Sequence, residues 1–167
     1  MAWNTIRATI QSEFSDLADL EQLTRMVVRL TLAAVLGGIL GLQRERQGKD
    51  AGIRTHMLVA ASAALIVLVP QQMGMEADAM SRILQGLLAG IGFLCAGSII
   101  KLQQEEQVRG LTTAAGIWMT TSIGVAAGLG REMTAVLATL LVLGILWLEG
   151  PLLRLGLRRS AEDEGRP

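Results

Sequence analysis

The sequence predicts an all-α integral membrane protein with about five transmembrane helices preceded by an amphipathic N-terminal helix. Three observations predict it. Of 167 residues, 51% are hydrophobic and only 18% are charged. The charges gather around residues 44–50, 76–82, 101–109 and 131–132 and near the C-terminal end. The apolar stretches between these clusters approach the ~20 residues that a helix needs to cross a bilayer.

This pattern divides the chain into an amphipathic segment at 1–22, a transmembrane domain at 23–150 and a cytoplasmic tail at 151–167. In the first segment Trp3, Ile6, Ile10, Phe14, Leu17 and Leu20 recur at three- and four-residue intervals. That spacing draws one apolar stripe along a helix, which either lies in the membrane interface or packs on its own bundle. Its acidic polar face, with Glu13, Asp16, Asp19 and Glu21, disfavours anionic lipid and lacks the basic start of a cleavable signal peptide, so no processing is expected.

The first span is expected at 26–42 and the second at 54–69, where Pro70 stops it. The third is expected at 83–100. The fourth, 111–129, is rich in threonine and glycine and only moderately apolar, which suits the inside of a bundle. The fifth, 134–148, is almost purely aliphatic and suits a lipid-facing position. Ten of the fifteen basic residues then fall on the side of the first and third loops and the C-terminal tail. Basic loops stay in the cytoplasm, so the N-terminus is expected outside and the C-terminus inside.

Glycines four apart at Gly37 and Gly41, Gly86 and Gly90, and Gly124 and Gly128 share helix faces and let another backbone approach. On that basis the first, third and fourth spans should form the tight inner set. The loops Leu42-Gln43-Arg44-Glu45-Arg46-Gln47 and Leu102-Gln103-Gln104-Glu105-Glu106-Gln107 resemble each other, and each precedes a glycine-led helix start. Either the two helix-loop-helix units are an internal repeat or two short loops agree by chance.

The second and fourth spans both begin at the expected cytoplasmic mouth, where each presents unpaired N–H groups and the positive end of its dipole. Arg54, Thr55 and His56 stand at one start, and Arg109, Thr112 and Thr113 at the other. Arg44 and Glu45 leave the first span nearby, and Glu45 is placed to pair with Arg54 or Arg109. Together these groups suit an anion, a phosphate-bearing ligand or an acidic segment of a partner. The competing account has the threonines capping helices and the arginines anchoring to lipid headgroups. On the opposite side Asp78, Arg82 and Gln85 enter the third span as a second polar cluster, either functional or an ordinary helix end with an arginine reaching the interface.

Several classes are excluded. Net charge is zero, which does not suit a simple basic nucleic-acid binder. Cys95 is the single cysteine, so no internal disulfide forms, and His56, the single histidine, has no second ligand at metal-binding spacing. No metal site or cofactor is expected, and no nucleophile–base pair or phosphate-binding loop points to an enzyme. No acidic residue sits in the middle of a span, where a cation-coupled transporter places one.

The stretches Gly37-Gly38-Ile39-Leu40-Gly41-Leu42-Gln43-Arg44-Glu45, Ala51-Gly52-Ile53-Arg54-Thr55-His56-Met57-Leu58-Val59, Gly90-Ile91-Gly92-Phe93-Leu94-Cys95-Ala96-Gly97 and Val108-Arg109-Gly110-Leu111-Thr112-Thr113-Ala114-Ala115-Gly116-Ile117-Trp118 come in an order that resembles the membrane domain of the MgtC/SapB family. The resemblance covers roughly residues 30–145. It implies a bacterial inner-membrane protein tied to growth in low magnesium, to survival inside macrophages in pathogens and, for some members, to inhibition of the F-type ATP synthase. Two departures stand out: Cys95 replaces a glycine common in that motif, and the soluble C-terminal domain of the longer members has no counterpart. The reading that follows is a regulatory or adaptor protein that binds membrane partners, itself included as a homo-oligomer. The alternative is a small oligomeric transporter or channel with an anion-binding mouth.

Overall fold

A computed structural model describes the backbone of residues 2–13, 19–101 and 108–163, and the side chains at 2–13, 19–99 and 109–148. It is an all-α membrane protein: α1 (Ala2–Glu13), α2 (Leu20–Arg46), α3 (Ile53–Gln72), α4 (Ala77–Gly97), α5 (Leu111–Gly128) and α6 (Glu132–Asp163). Two two-residue strands, β1 (Ile100–Lys101) and β2 (Val108–Arg109), pair antiparallel between α4 and α5. Three helices, α2, α3 and α4, are long and apolar enough to cross a membrane. With α5 and the apolar first half of α6 they make five bundle helices. The compared loop at Leu102–Gln107 lies outside the described residues, as do Phe14 and Leu17 of the N-terminal stripe.

α3 is the central element, flanked by α2 and α5, and α6 packs against both of those. The core joins Ala33, Leu36 and Leu40 of α2, Ala60 and Ala64 of α3, Ile123 and Ala127 of α5, and Ala135, Val142 and Leu146 of α6. Alanine is frequent here because association in lipid depends on close packing, and small side chains let helix axes approach.

The glycine seams close on α3. A Cβ at Gly37 would lie 2.5 Å from the His56 carbonyl oxygen, and one at Gly41 would lie 2.6 Å from Ile53 Cα. One at Gly124 would meet Ala60 Cα at 2.9 Å, and one at Gly128 would meet Val67 Cγ2 at 2.6 Å. Gly86 and Gly90 correct the sequence reading: a Cβ at either would meet nothing within 4 Å. α4 is peripheral, held mainly through Cys95 and Ile91 against Ala114 and Ile117. The inner set is therefore α2, α3 and α5, with Ala60 and Ala64 of α3 receiving Gly37, Gly124 and Gly128 of its neighbours.

α5 buries ten residues, among them Thr113, Thr120 and Thr121. The two deeper hydroxyls donate to carbonyls one turn back, Thr120 to Gly116 at 2.9 Å and Thr121 to Ile117 at 3.0 Å, so neither is left unpaired. α6 keeps Ala135, Thr139, Val142 and Leu146 inside and exposes Leu137, Leu140, Leu141 and Ile145. α3 runs past Pro70 to Gln72, because its end is set by Gly74 at φ 69°, with the Met75 N–H donating to the Pro70 carbonyl. None of the residues of α1 is buried, and Trp3, Ile6 and Ile10 are exposed. α1 thus does not bury Trp3, Ile6 or Ile10, its described part of the stripe, in the bundle, and Leu20 belongs to α2.

Candidate functional site

At one end of the bundle a cavity of about 540 Å³ opens between the α2–α3 turn and the start of α5. Among the described residues its polar lining is Arg44, Lys49, Asp50, Arg109, Thr112 and Thr113: three cations, one carboxylate and two hydroxyls. Arg44 is 0% exposed. Burial of an arginine is expensive unless its donors are engaged, and here Nη1 donates to Gln47 Oε1 at 3.1 Å and Nη2 to Thr113 Oγ1 at 3.5 Å. The geometry follows from the fold. Gly41 brings the start of α3 against α2, and Gly48, at φ 67°, lets the Lys49 N–H turn back to the Arg44 carbonyl. Lys49 and Asp50 are thereby folded over the end of α2.

The two helix starts behave differently. Glu45 Oε2 accepts from the Ile53 N–H at 3.0 Å, so a carboxylate from α2 already occupies the start of α3. The sequence reading paired Glu45 with Arg54 or Arg109; a short reach across the turn to the first N–H of α3 takes its place. α5 begins after Gly110, whose left-handed φ of 94° sets it over the Ser98 carbonyl, and no side chain among the described residues caps it. Neither Thr112 nor Thr113 caps α5, and Gly52 rather than a threonine precedes α3.

Beneath the cavity lies His56, 1% exposed. The Thr120 hydroxyl donates to the Gly116 carbonyl, and its oxygen lies 2.7 Å from His56 Nδ1, within hydrogen-bond distance. Nε2 is buried without a hydrogen-bond partner among the described residues. Around this level Leu40, Ala60, Ile117 and Thr121 are at most 2% exposed. The cavity has a packed floor.

Of the residues singled out in the sequence, Arg44, Arg109, Thr112 and Thr113 come together, His56 sits below them, Glu45 closes α3, and exposed Arg54 and half-buried Thr55 stand outside the lining. Sequence reasoning missed Lys49 and Asp50, although their place in the charged loop after α2 was a usable signal. It also missed Gln47 and Thr120, which nothing local distinguishes.

On the opposite end Asp78, Arg82 and Gln85 are exposed, with no hydrogen bond or ion pair joining them among the described residues. The polar junction there is instead Arg29. Its Nη1 donates to Gln71 Oε1 at 2.9 Å and to the Gly128 carbonyl at 3.2 Å, and its Nε lies 3.6 Å from Glu132. One side chain thus ties α2 to α3, α5 and α6 and meets the C-terminal carbonyls of α5 with a positive charge. The partly exposed ion pair contributes little. We expect Arg29→Ala to cost about 1–3 kcal/mol through the lost charge-assisted hydrogen bonds. The check is a lower thermal midpoint in detergent, with Glu132→Gln moving it much less.

Residues 30–155 match a family model described as the MgtC family. The chain is similar to SrpB of Synechococcus elongatus, 41% identical over 126 residues that cover 69% of each chain. MgtC of Salmonella typhimurium is 39% identical over 117 residues, 70% of this chain and 49% of that one. YhiD of Escherichia coli is 35% identical over 130 residues, 72% of this chain and 58% of that one. The chain therefore spans about half the length of MgtC. No solved structure matches it.

Proposed function

The chain belongs to the MgtC family, and from that premise we propose that it is a bacterial inner-membrane regulatory protein of magnesium adaptation that works by docking another membrane component at the Arg44 end. The link to magnesium comes from its relatives, one of which, YhiD, carries a name that proposes magnesium transport. On the charge distribution the Arg44 end is cytoplasmic and the Arg29 end external, since the loops beside Arg44 together with the C-terminal tail hold ten of the fifteen basic residues. α1, with its apolar stripe exposed, would lie along the outer interface.

One observation carries the docking reading: the basic cavity has a packed floor. A conduit needs a polar path onward from its mouth, whereas the polar groups below Arg44 end at the buried His56, Thr120 and Thr121, packed among Leu40, Ala60 and Ile117, and the next layer is filled by Ala64, Ile123 and Ala127, all at most 2% exposed. A blind cavity whose lining holds three cations against one carboxylate, Asp50, supports recognition of an anionic group over a cation. A transporter reading would place its path between copies of the chain.

The test is crosslinking and affinity capture from native membranes in mild detergent, at limiting and at ample magnesium. The expected result is a defined membrane partner, the F-type ATP synthase being one candidate, enriched when magnesium is scarce. Capture of nothing but further copies of the chain, together with solute flux in vesicles holding the purified protein, would overturn the reading in favour of an oligomeric transporter.

A further inference from the structure

We propose that the cavity at the Arg44 end binds a phosphate group, as a free anion or as the headgroup of a phospholipid; this deepens the docking reading and rests on it. The lining brings donors from two directions, the ammonium of Lys49 from the turn and Arg109 with the Thr112 hydroxyl from the start of α5, over the buried charge of Arg44 on α2. A tetrahedral phosphate presents acceptor oxygens in several directions at once and meets such a set. A planar carboxylate presents two.

The neighbouring helix start shows the same chemistry already satisfied from within. At α3 the Glu45 carboxylate takes the Ile53 N–H, while α5, which faces the cavity, starts from Gly110 and has no side-chain cap among the described residues. An N-terminus flanked by two arginines and a lysine attracts an anion through its N–H groups and its dipole. The Arg44 guanidinium is built in behind this lining: it is 0% exposed and held by Gln47 and Thr113, so it contributes a fixed positive charge while Lys49, Arg109 and Thr112 offer the contacts. Asp50 is the single carboxylate in the lining among the described residues and opposes the ligand.

The test uses the full chain purified in phosphate-free neutral detergent. Equilibrium dialysis with radiolabelled inorganic phosphate should show saturable binding of one anion per chain, displaced by sulfate and hardly by chloride. The double variant Lys49→Ala/Arg109→Ala should weaken binding at least tenfold, and Asp50→Asn should tighten it. In a second arm, native mass spectrometry of protein released from phosphatidylglycerol nanodiscs reads retained lipid. Retention of one lipid that the double variant loses, without binding of free phosphate, identifies the headgroup as the source and supports the proposal. If wild type retains neither ligand above the level of the double variant, the proposal fails. Partner capture that persists in that case leaves the docking reading standing, whereas phosphate binding without any partner would sink the docking reading alone.

Discussion

Gly124→Ala lowers the stability of the folded protein by about 1–3 kcal/mol, while Gly86→Ala leaves it unchanged or slightly raised. Both glycines belong to four-residue pairs on apolar helices, so the sequence makes them equivalent. The structure separates them. A methyl at Gly124 runs into the Ala60 carbonyl and lies 2.9 Å from Ala60 Cα, which are backbone atoms of the central helix and cannot rotate away. At Gly86 a methyl meets nothing within 4 Å, and the change only improves helix propensity. Gly124→Leu should remove folded protein altogether. Thermal midpoints from fluorescence-detected size exclusion decide it: equal losses at the two positions would mean that α4 is as tightly packed as α5.

Arg44→Met dissociates function from stability. Methionine matches the length of the arginine stem and fills the same space. Gln47, exposed at the helix end, recovers its hydrogen bond from water, and the Thr113 hydroxyl is free to turn to its own helix. The fold should therefore change by less than about 1.5 kcal/mol. Partner capture at limiting magnesium should fall at least tenfold, since a desolvated charge is removed from the centre of the recognition surface. Arg44→Lys should fall in between, because it keeps the charge and loses the planar fork. A variant that melts with wild type and captures its partner normally would leave Arg44 a packing residue.

Much of this fold is legible in the sequence for a simple reason: in a bilayer, length and apolarity decide what spans, and both are local. The same holds for the polar interior of α5, because threonines there are too frequent for a helix facing lipid. Which glycine pairs form seams is not local. Gly37 and Gly124 close on α3 because Ala60 lies between them, and the sequence of α4 gives no hint that Gly86 has no such partner. The candidate site divides in the same way. Arg109, Thr112 and Thr113 are visible as a basic, hydroxyl-bearing helix start. Arg44, by contrast, reads as a loop cation until Gly41 draws α3 against α2 and Thr113 arrives from a residue 69 positions away. Glu45 shows how proximity misleads, since a carboxylate among arginines invites an ion pair but finds the N–H of Ile53 nearer.

The claim that the buried arginine marks the working end is tested most directly by growth at limiting magnesium. Cells lacking the chromosomal copy are supplied with wild-type or Arg44→Met protein at matched membrane levels. The account predicts that wild type restores growth and that Arg44→Met does not, with both proteins present and folded. Full rescue by Arg44→Met would contradict it and move the search for function to another surface.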